Sequence, residues 1–323
     1  MRRGGYVRRW VLMAATFLAL GGAGVAGTLR VPDSLASAET VGDYASVLQV
    51  CKKDGATQVA IRTMTLHGEP ARLLVDPETL TTSVEGAAGW TCEGAADAAL
   101  AGTRLMRAVA RAAEPPELTH RGFLSNAGLK HGAGGGGYFT GDLCPSHKPL
   151  EREFISSLEG ERTPVALSIS GVWLKHHFDD YRWLTQEAAR GALAITWINH
   201  TYTHNYKKGV AEDENFMLSP DVDPDYEIEE TEKLLIANGG TPSVFFRFPG
   251  LVSSSDLMKA VAAHHLISLG ADAWLALGQS PRDGSVILVH PNGNEPAGLK
   301  IYSRVAAEGR LPMPLKPLNE APQ

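Results

Sequence analysis

From Tyr138 onward the chain repeats one unit: a short apolar run, a polar residue where the run stops, then a stretch with helical spacing. "YFTGD" stops at Asp142. "ALAITWI" leads through Asn199 into His200 and His204. "SVFFRFPG" carries Arg247, "LISLGADAWL" carries Asp272 and Trp274, and "SVILVH" stops at His290. Apolar runs this short, bounded by turn residues, read as strands covered on both faces. The helical stretches between them are the crossovers that parallel strands need. "DYRWLTQEAARG" is an amphipathic helix closed by Gly191. Asp223 caps the next helix with Pro224 at its first position, and Gly239 stops it; "SSSDLMKAVAAHH" opens on a serine cap. The rhythm predicts an α/β fold, βα units around a parallel sheet or barrel, with chemistry gathered at the C-terminal strand ends. Five strand ends carrying polar or catalytically capable side chains form a constellation.

The rest of the chain differs. Arg2, Arg3, Arg8 and Arg9 precede an apolar stretch from Trp10 to about Ala26, and "ASA" at 36–38 fits a small-x-small cleavage site, with Val25-Ala26-Gly27 as a rival. Residues 1–38 are expected to be an export signal leading to the periplasm or the outside. "RRWVL" is a loose twin-arginine pattern, and an uncleaved membrane anchor is the alternative. Residues 39–115 are expected to form a small α+β segment: strands "TQVAIRTMTL" and "ARLLVDPETLTTSV" joined at "HGEP", then a helix. Residues 116–137 read as a Gly/Pro-rich linker. Its "GAGGGG" satisfies G-x-G-x-x-G by letters, but a loop precedes it and a strand follows, which suits a hinge better than a nucleotide loop. The barrel domain is placed at 138–305, and 306–323 as a Pro-rich tail.

The 323 residues are 44% hydrophobic, enough for a full core. A net charge of −6, with no basic stripe beyond the N-terminus, argues against nucleic acid as a partner. No later stretch is apolar and long enough to span a bilayer, and nothing in the sequence addresses the oligomeric state. Export would place Cys51, Cys92 and Cys144 in an oxidising compartment, where a Cys51–Cys92 bridge leaves Cys144 free. The chain has no C-x-x-C pair, which argues against a thiolate metal site.

H-x-x-x-H at His200 and His204 lacks the glutamate of H-E-x-x-H, so a zinc-protease helix does not fit. Two neutral imidazoles still suit Zn²⁺, with a carboxylate as third ligand or nearby base. Arg247 lies within an apolar strand and needs a buried carboxylate partner. "HFDDY" at 177–181 supplies two acids but opens a helix after the second strand, the wrong place for the site.

The order Asp, H-T-x-x-H, R-F-P-G, D-x-W, L-V-H resembles the polysaccharide deacetylases of carbohydrate esterase family four, over roughly residues 136–305. The resemblance implies an irregular (β/α)7-type barrel, here preceded by the small α+β segment. It also implies metal-dependent removal of acetyl groups from N-acetylated sugars. It implies a divalent metal, zinc first, on His200 and His204; Asp142 as base or as third ligand; Arg247 tuning Asp142; and His290 as general acid. Asp272 would support His290 or Arg247, and Trp274, Tyr202 and the Pro249 loop would line the sugar pocket. The first motif departs from the family's T-F-D-D-G-P: here it reads Thr140-Gly141-Asp142-Leu143-Cys144-Pro145. Without a gap, Asp142 falls on the base and Leu143 on the ligand position, where leucine cannot bind metal. That register is favoured because it keeps Thr140 and Pro145 in place, and Leu143 is expected to point to the core. Cys144 is a further candidate for the ligand place. The expected protein is an exported deacetylase acting on an acetylated envelope or extracellular glycan. The alternatives are a glycan-binding homologue that has lost activity, and a metal-dependent small-molecule amidase or esterase.

Overall fold

The computed structural model describes residues 29–116, 118 and 122–323. The basic and apolar stretch read as an export signal lies almost wholly outside them. Among the described residues, no helix is long and apolar enough to cross a membrane.

Residues 41–94 form an antiparallel sheet of β1 (Val41–Lys53), β2 (Ala56–Leu66), β3 (Glu69–Val75), β4 (Thr82–Gly86) and β5 (Thr91–Gly94), in the order β4-β3-β2-β1-β5. Two of its hairpins have two-residue loops, Asp54-Gly55 and His67-Gly68. All four residues have positive φ, the turn whose twist matches paired strands. Cys51 and Cys92 face each other across β1 and β5 and are disulfide-bonded; Cys144 is free and buried, as the sequence suggested. Helices α1 (Asp97–Leu100) and α2 (Arg104–Ala112) complete the α+β segment.

A short ribbon pairs β6 (Leu124–Ser125) with β11 (Val252–Ser253). The main sheet holds β7 (Tyr138–Leu143), β8 (Thr163–Ile169), β9 (Leu193–Asn199), β10 (Pro242–Phe246), β12 (Ile267–Ser268), β13 (Ala273–Trp274) and β14 (Val286–Val289). Its order is β12-β10-β9-β8-β7-β14-β13, and every neighbouring pair is parallel. This is the curled seven-stranded sheet of the barrel class expected. Around it lie α3 (Arg152–Ser157), α4 (Gly171–His176), α5 (Phe178–Ala189), α6 (Pro224–Ala237), α7 (Ser255–Ala263) and α8 (Pro296–Ala307). The capping signals act as read: Asp223 accepts from Asp225 and Tyr226 N–H, Ser254 from Leu257 N–H, and Gly191 and Gly239 end their helices at positive φ.

The N-terminal segment is not a separate body. Ile61, Leu73, Val75, Leu105 and Val109 share one core with Tyr138, Val244, Phe245 and Ile267 of the parallel sheet. Arg62 reaches across to Glu232 on α6, with Nε at 2.8 Å and Nη2 at 3.1 Å from the two carboxylate oxygens.

Residues 129–137 of the stretch read as a linker and hinge are packed backbone instead. Leu129 N–H donates to Ser268, and Val286 N–H donates to the Lys130 carbonyl, so 129–130 bridges edge strand β12 and the start of β14. Gly136 has φ 89°, and a Cβ there would stand 2.4 Å from the Pro314 carbonyl. The glycines are needed because the C-terminal segment crosses them closely, with Gly137 N–H donating to Pro314 and Lys316 N–H to Gly137. That segment is no trailing tail either, since Leu318 and Ala321 are buried in the shared core.

Candidate active site

Alternation along β7 builds the first wall. Thr140 and Asp142 face Arg247, while Phe139 and Leu143 face the opposite way, into the core with Leu299 and Tyr302 of α8. Leu143 is therefore where its expected orientation put it. Two residues beyond Asp142, the chain brings Cys144 back to the Asp142 side; Asn292 Nδ2 donates to the Cys144 carbonyl and holds it there.

Arg247 follows β10 and is fully buried. Its Nη1 donates to Asp142 Oδ1 at 2.7 Å and Thr140 Oγ1 at 2.8 Å, and Nη2 to the Gly270 carbonyl at 3.0 Å. Burial alone would raise the Asp142 pKa. The charges of Arg247, His200 and His290 outweigh it and bring the carboxyl down to about 2. Oδ2 of Asp142 makes no such bond to Arg247. It faces His200 Nε2 at 3.7 Å and His290 Nε2 at 4.0 Å.

The histidine pair sits on a turn rather than a helix. Thr201 and His204 have left-handed backbone, φ 67° and 54°, a conformation that persists only where the surroundings enforce it. Asn199 accepts from Thr201 N–H and donates to the Ile228 carbonyl, and buried Glu227 on α6 binds both N–H and hydroxyl of Thr203. The two rings end 4.8 Å apart. His200 Nδ1 lies 2.8 Å from the Arg247 carbonyl; a carbonyl only accepts, so Nδ1 carries the proton and Nε2 is the free donor atom. Nε2 stands 3.5 Å from Cys144 Sγ. Burial would raise the thiol pKa, but the rings of His204 and His200 hold it well below the usual range.

His290 follows β14. Its Nδ1 is 2.7 Å from Glu295 Oε2, too far off the N–H direction for a linear hydrogen bond and best described as an ion pair. Glu295 Oε2 also accepts from Trp274 Nε1 at 2.9 Å. Burial lowers the His290 pKa, yet contacts with Cys144 and Glu295 raise it to about 10 in the metal-free protein.

These groups line one pocket of about 560 Å³. Cys144, His200 and His204 form a group whose donor atoms all lie within 4.8 Å of one another; Asp142 is not part of it. His204 Nε2 is buried without a hydrogen-bond partner. A buried ring nitrogen left without a partner is costly, so the donor set fits a divalent metal.

Other candidates lie elsewhere. Asp272 supports neither His290 nor Arg247. It precedes β13, at the N-terminal end of the sheet, where Oδ2 meets His131 Nδ1 at 2.9 Å and Oδ1 accepts from Val286 N–H. Tyr202 packs against Gly171 and Tyr226, away from the pocket, and Tyr206 stands in the wall in its place. Pro249 is buried, and its neighbours Gly250 and Leu251 supply the wall; Trp274 lines it as well. Asp180 of "HFDDY" accepts from Leu150 N–H and Arg152, a structural role. Glu295 carries no strand or helix periodicity that would announce it. Its one signal is its position five residues beyond His290 in "HPNGNE".

No family model matches the chain. Among solved structures it is similar to a family 4 carbohydrate esterase from Bacillus anthracis, at 19% identity and TM-score 0.42, covering 61% of this chain and 87% of that one. It is similar to a family 4 carbohydrate esterase from Streptomyces lividans solved with acetate, at 20% identity and TM-score 0.39, covering 58% and 97%. A third, at 14% identity and TM-score 0.40, covering 64% and 73%, is described as a family 4 pseudoenzyme from Bacillus anthracis. These three solved structures are described as family 4 proteins, two as carbohydrate esterases and one as a pseudoenzyme.

Proposed function

We propose that this protein is an exported, metal-dependent deacetylase that removes acetyl groups, N-acetyl first, from a cell-envelope or extracellular glycan. One observation carries the reading: Asp142 Oδ2, left free by the buried Arg247, and His290 Nε2 face each other 4.0 Å apart beside a metal-competent histidine pair in one pocket. A carboxylate and an imidazole aimed into one cavity within reach of each other are the arrangement that a base and an acid sharing one reaction need.

His200 and His204 would hold the ion, zinc first. A divalent metal bound there would polarise an acetyl carbonyl and acidify water. Asp142 Oδ2, the oxygen Arg247 leaves free, accepts the proton of the attacking water. Arg247 keeps Asp142 ionised and in place. His290 Nε2 donates its proton to the leaving amine, and Glu295 holds the ring from the other side. Trp274 and Tyr206 offer flat apolar walls of the kind sugar rings stack on. The test is acetate release from N-acetylated oligosaccharides by the zinc-loaded protein. Release that stops with a chelator and returns with zinc supports the reading; no release from any acetylated glycan contradicts it.

A second reading has its own support. Leu143 is in the core, so β7 brings one carboxylate to the site where the family's motif has two. A glycan-binding homologue without turnover would retain glycan affinity and release no acetate.

Export also bears on the mature N-terminus. Ala36 exchanges hydrogen bonds with Asn238, and Ala38 is buried. Cleavage at 36–38 would strip packed residues from the fold, which favours Val25-Ala26-Gly27. N-terminal sequencing of the secreted form checks this.

A further inference from the structure

We propose that Cys144 is the third protein ligand, making the centre a thiolate–bis-imidazole site that selects zinc-like ions over Mg²⁺, Ca²⁺ and Mn²⁺. The inference rests on the metal-dependent reading above and gives that site its donor set.

The geometry is the first support. In a tetrahedral site with a zinc–sulfur bond of about 2.3 Å and a zinc–nitrogen bond of about 2.0–2.1 Å, the two donors stand about 3.5 Å apart. Cys144 Sγ and His200 Nε2 stand 3.5 Å apart. The second support is a buried orphaned donor: His204 is 8% exposed, its Nε2 has no hydrogen-bond partner, and it belongs to the same close donor group. A third comes from what surrounds the donors. His200 Nδ1 is anchored on the Arg247 carbonyl, the outer-shell bond that metal-bound histidines make. The Cys144 carbonyl is held by Asn292 Nδ2 at 2.8 Å, and Ser170 binds the carbonyl of the preceding Leu143. Asp142, the competing ligand, already gives Oδ1 to Arg247 and stands outside the donor group.

Strand alternation explains the change. The ligand position of the family's motif falls at 143, which faces the core. The next position, 144, returns to the pocket side and brings a thiolate to the histidine pair. Binding would release to solvent whatever proton the Cys144–imidazole group holds. Thiolate and imidazole donors favour Zn²⁺ and Co²⁺, whereas Mg²⁺, Ca²⁺ and Mn²⁺ prefer oxygen. Asp142 is then left free of the metal, as a base must be.

The experiment is Co²⁺ titration of the metal-free mature protein, followed by absorption spectroscopy. The expected result is a sulfur-to-cobalt charge-transfer band in the near ultraviolet that saturates at one equivalent, is displaced by Zn²⁺ and is unaffected by excess Mg²⁺. Cys144→Ser, nearly isosteric, should abolish the band. It should also weaken cobalt binding by at least the roughly 10–100-fold that loss of an outer-shell partner costs. Cys144→Asp should bind cobalt without the band. One equivalent of cobalt bound by the wild type with no such band would overturn the thiolate assignment while leaving the deacetylase reading intact. No cobalt or zinc bound at all would overturn both. The urea midpoint of each variant separates a lost ligand from a lost fold.

Discussion

Arg62 and Arg247 are both fully buried, and each is paired with a carboxylate. Glu232 spends both oxygens on its pair: Arg62 takes both, and the Tyr44 hydroxyl adds a bond to Oε2 at 2.7 Å. Nothing is left over, and the pair fastens the N-terminal sheet to α6. Asp142 spends Oδ1 on Arg247 and leaves Oδ2 facing two histidines in a pocket. A buried ion pair with every oxygen satisfied is a fastening; one with an oxygen to spare, ionised and aimed at a cavity, is a chemical tool. Burial and charge are alike in the two regions, so the spare oxygen tells them apart.

Arg247→Met tests the comparison most severely. It strands Asp142 as an uncompensated buried charge, which costs about 3–5 kcal/mol, and it loosens the base. Stability by urea unfolding should fall by that amount, and acetate release by the folded fraction by about 10²–10⁴-fold. Arg62→Met should cost a similar 3–5 kcal/mol through stranded Glu232, yet leave turnover per folded molecule unchanged. Equal catalytic losses in both variants would erase the distinction.

The next effect is on pH. His290 is raised above the ordinary imidazole pKa of about 6.5, so in the metal-free protein its stabilising contribution is complete below that value and fades as pH rises through about 10. Asp142 is lowered, so its contribution is complete above about 4 and is lost only as pH falls through about 2. Glu295→Gln removes a charge that raises His290. The alkaline loss of stability should then begin at lower pH, and the acid limb should lose only what the lowered carboxyl of Glu295 itself contributes, as read from urea midpoints across the range. An unmoved alkaline limb would take Glu295 out of its positioning role.

The smallest effect belongs to Asp272→Asn. It should change stability by about 1 kcal/mol or less, through the contacts with His131 and Val286, and leave acetate release within about twofold.

The βα rhythm was plain in the sequence because buried parallel strands leave unbroken apolar runs between capped helices. His200, His204, Arg247 and His290 were legible for the same reason: each follows such a run. Asp272 was misplaced because "LISLGADAWL" holds two strands of two residues each, too short for the run to tell which end a residue occupies. Glu295 was invisible because the loop before α8 has no period. Cys144 was partly legible, since period-two alternation sets 140, 142 and 144 on one face. The letters of the family motif fall on 143, and without a C-x-x-C pair a lone cysteine carries no metal signature of its own. Gly136 and Gly137 looked like a hinge because the strand-like crossing that requires them comes from residues 312–316, far along the chain.

The central claim is that Asp142 works as a base beside the metal and does not hold it. Its most direct test measures bound zinc and acetate release side by side in Asp142→Asn, which keeps a bond to Arg247 but loses the charge. The account predicts zinc at the wild-type level with acetate release reduced by about 10²–10⁴-fold. Zinc lost in parallel with activity would contradict it and make Asp142 a ligand, and full activity in the variant would remove Asp142 from the chemistry.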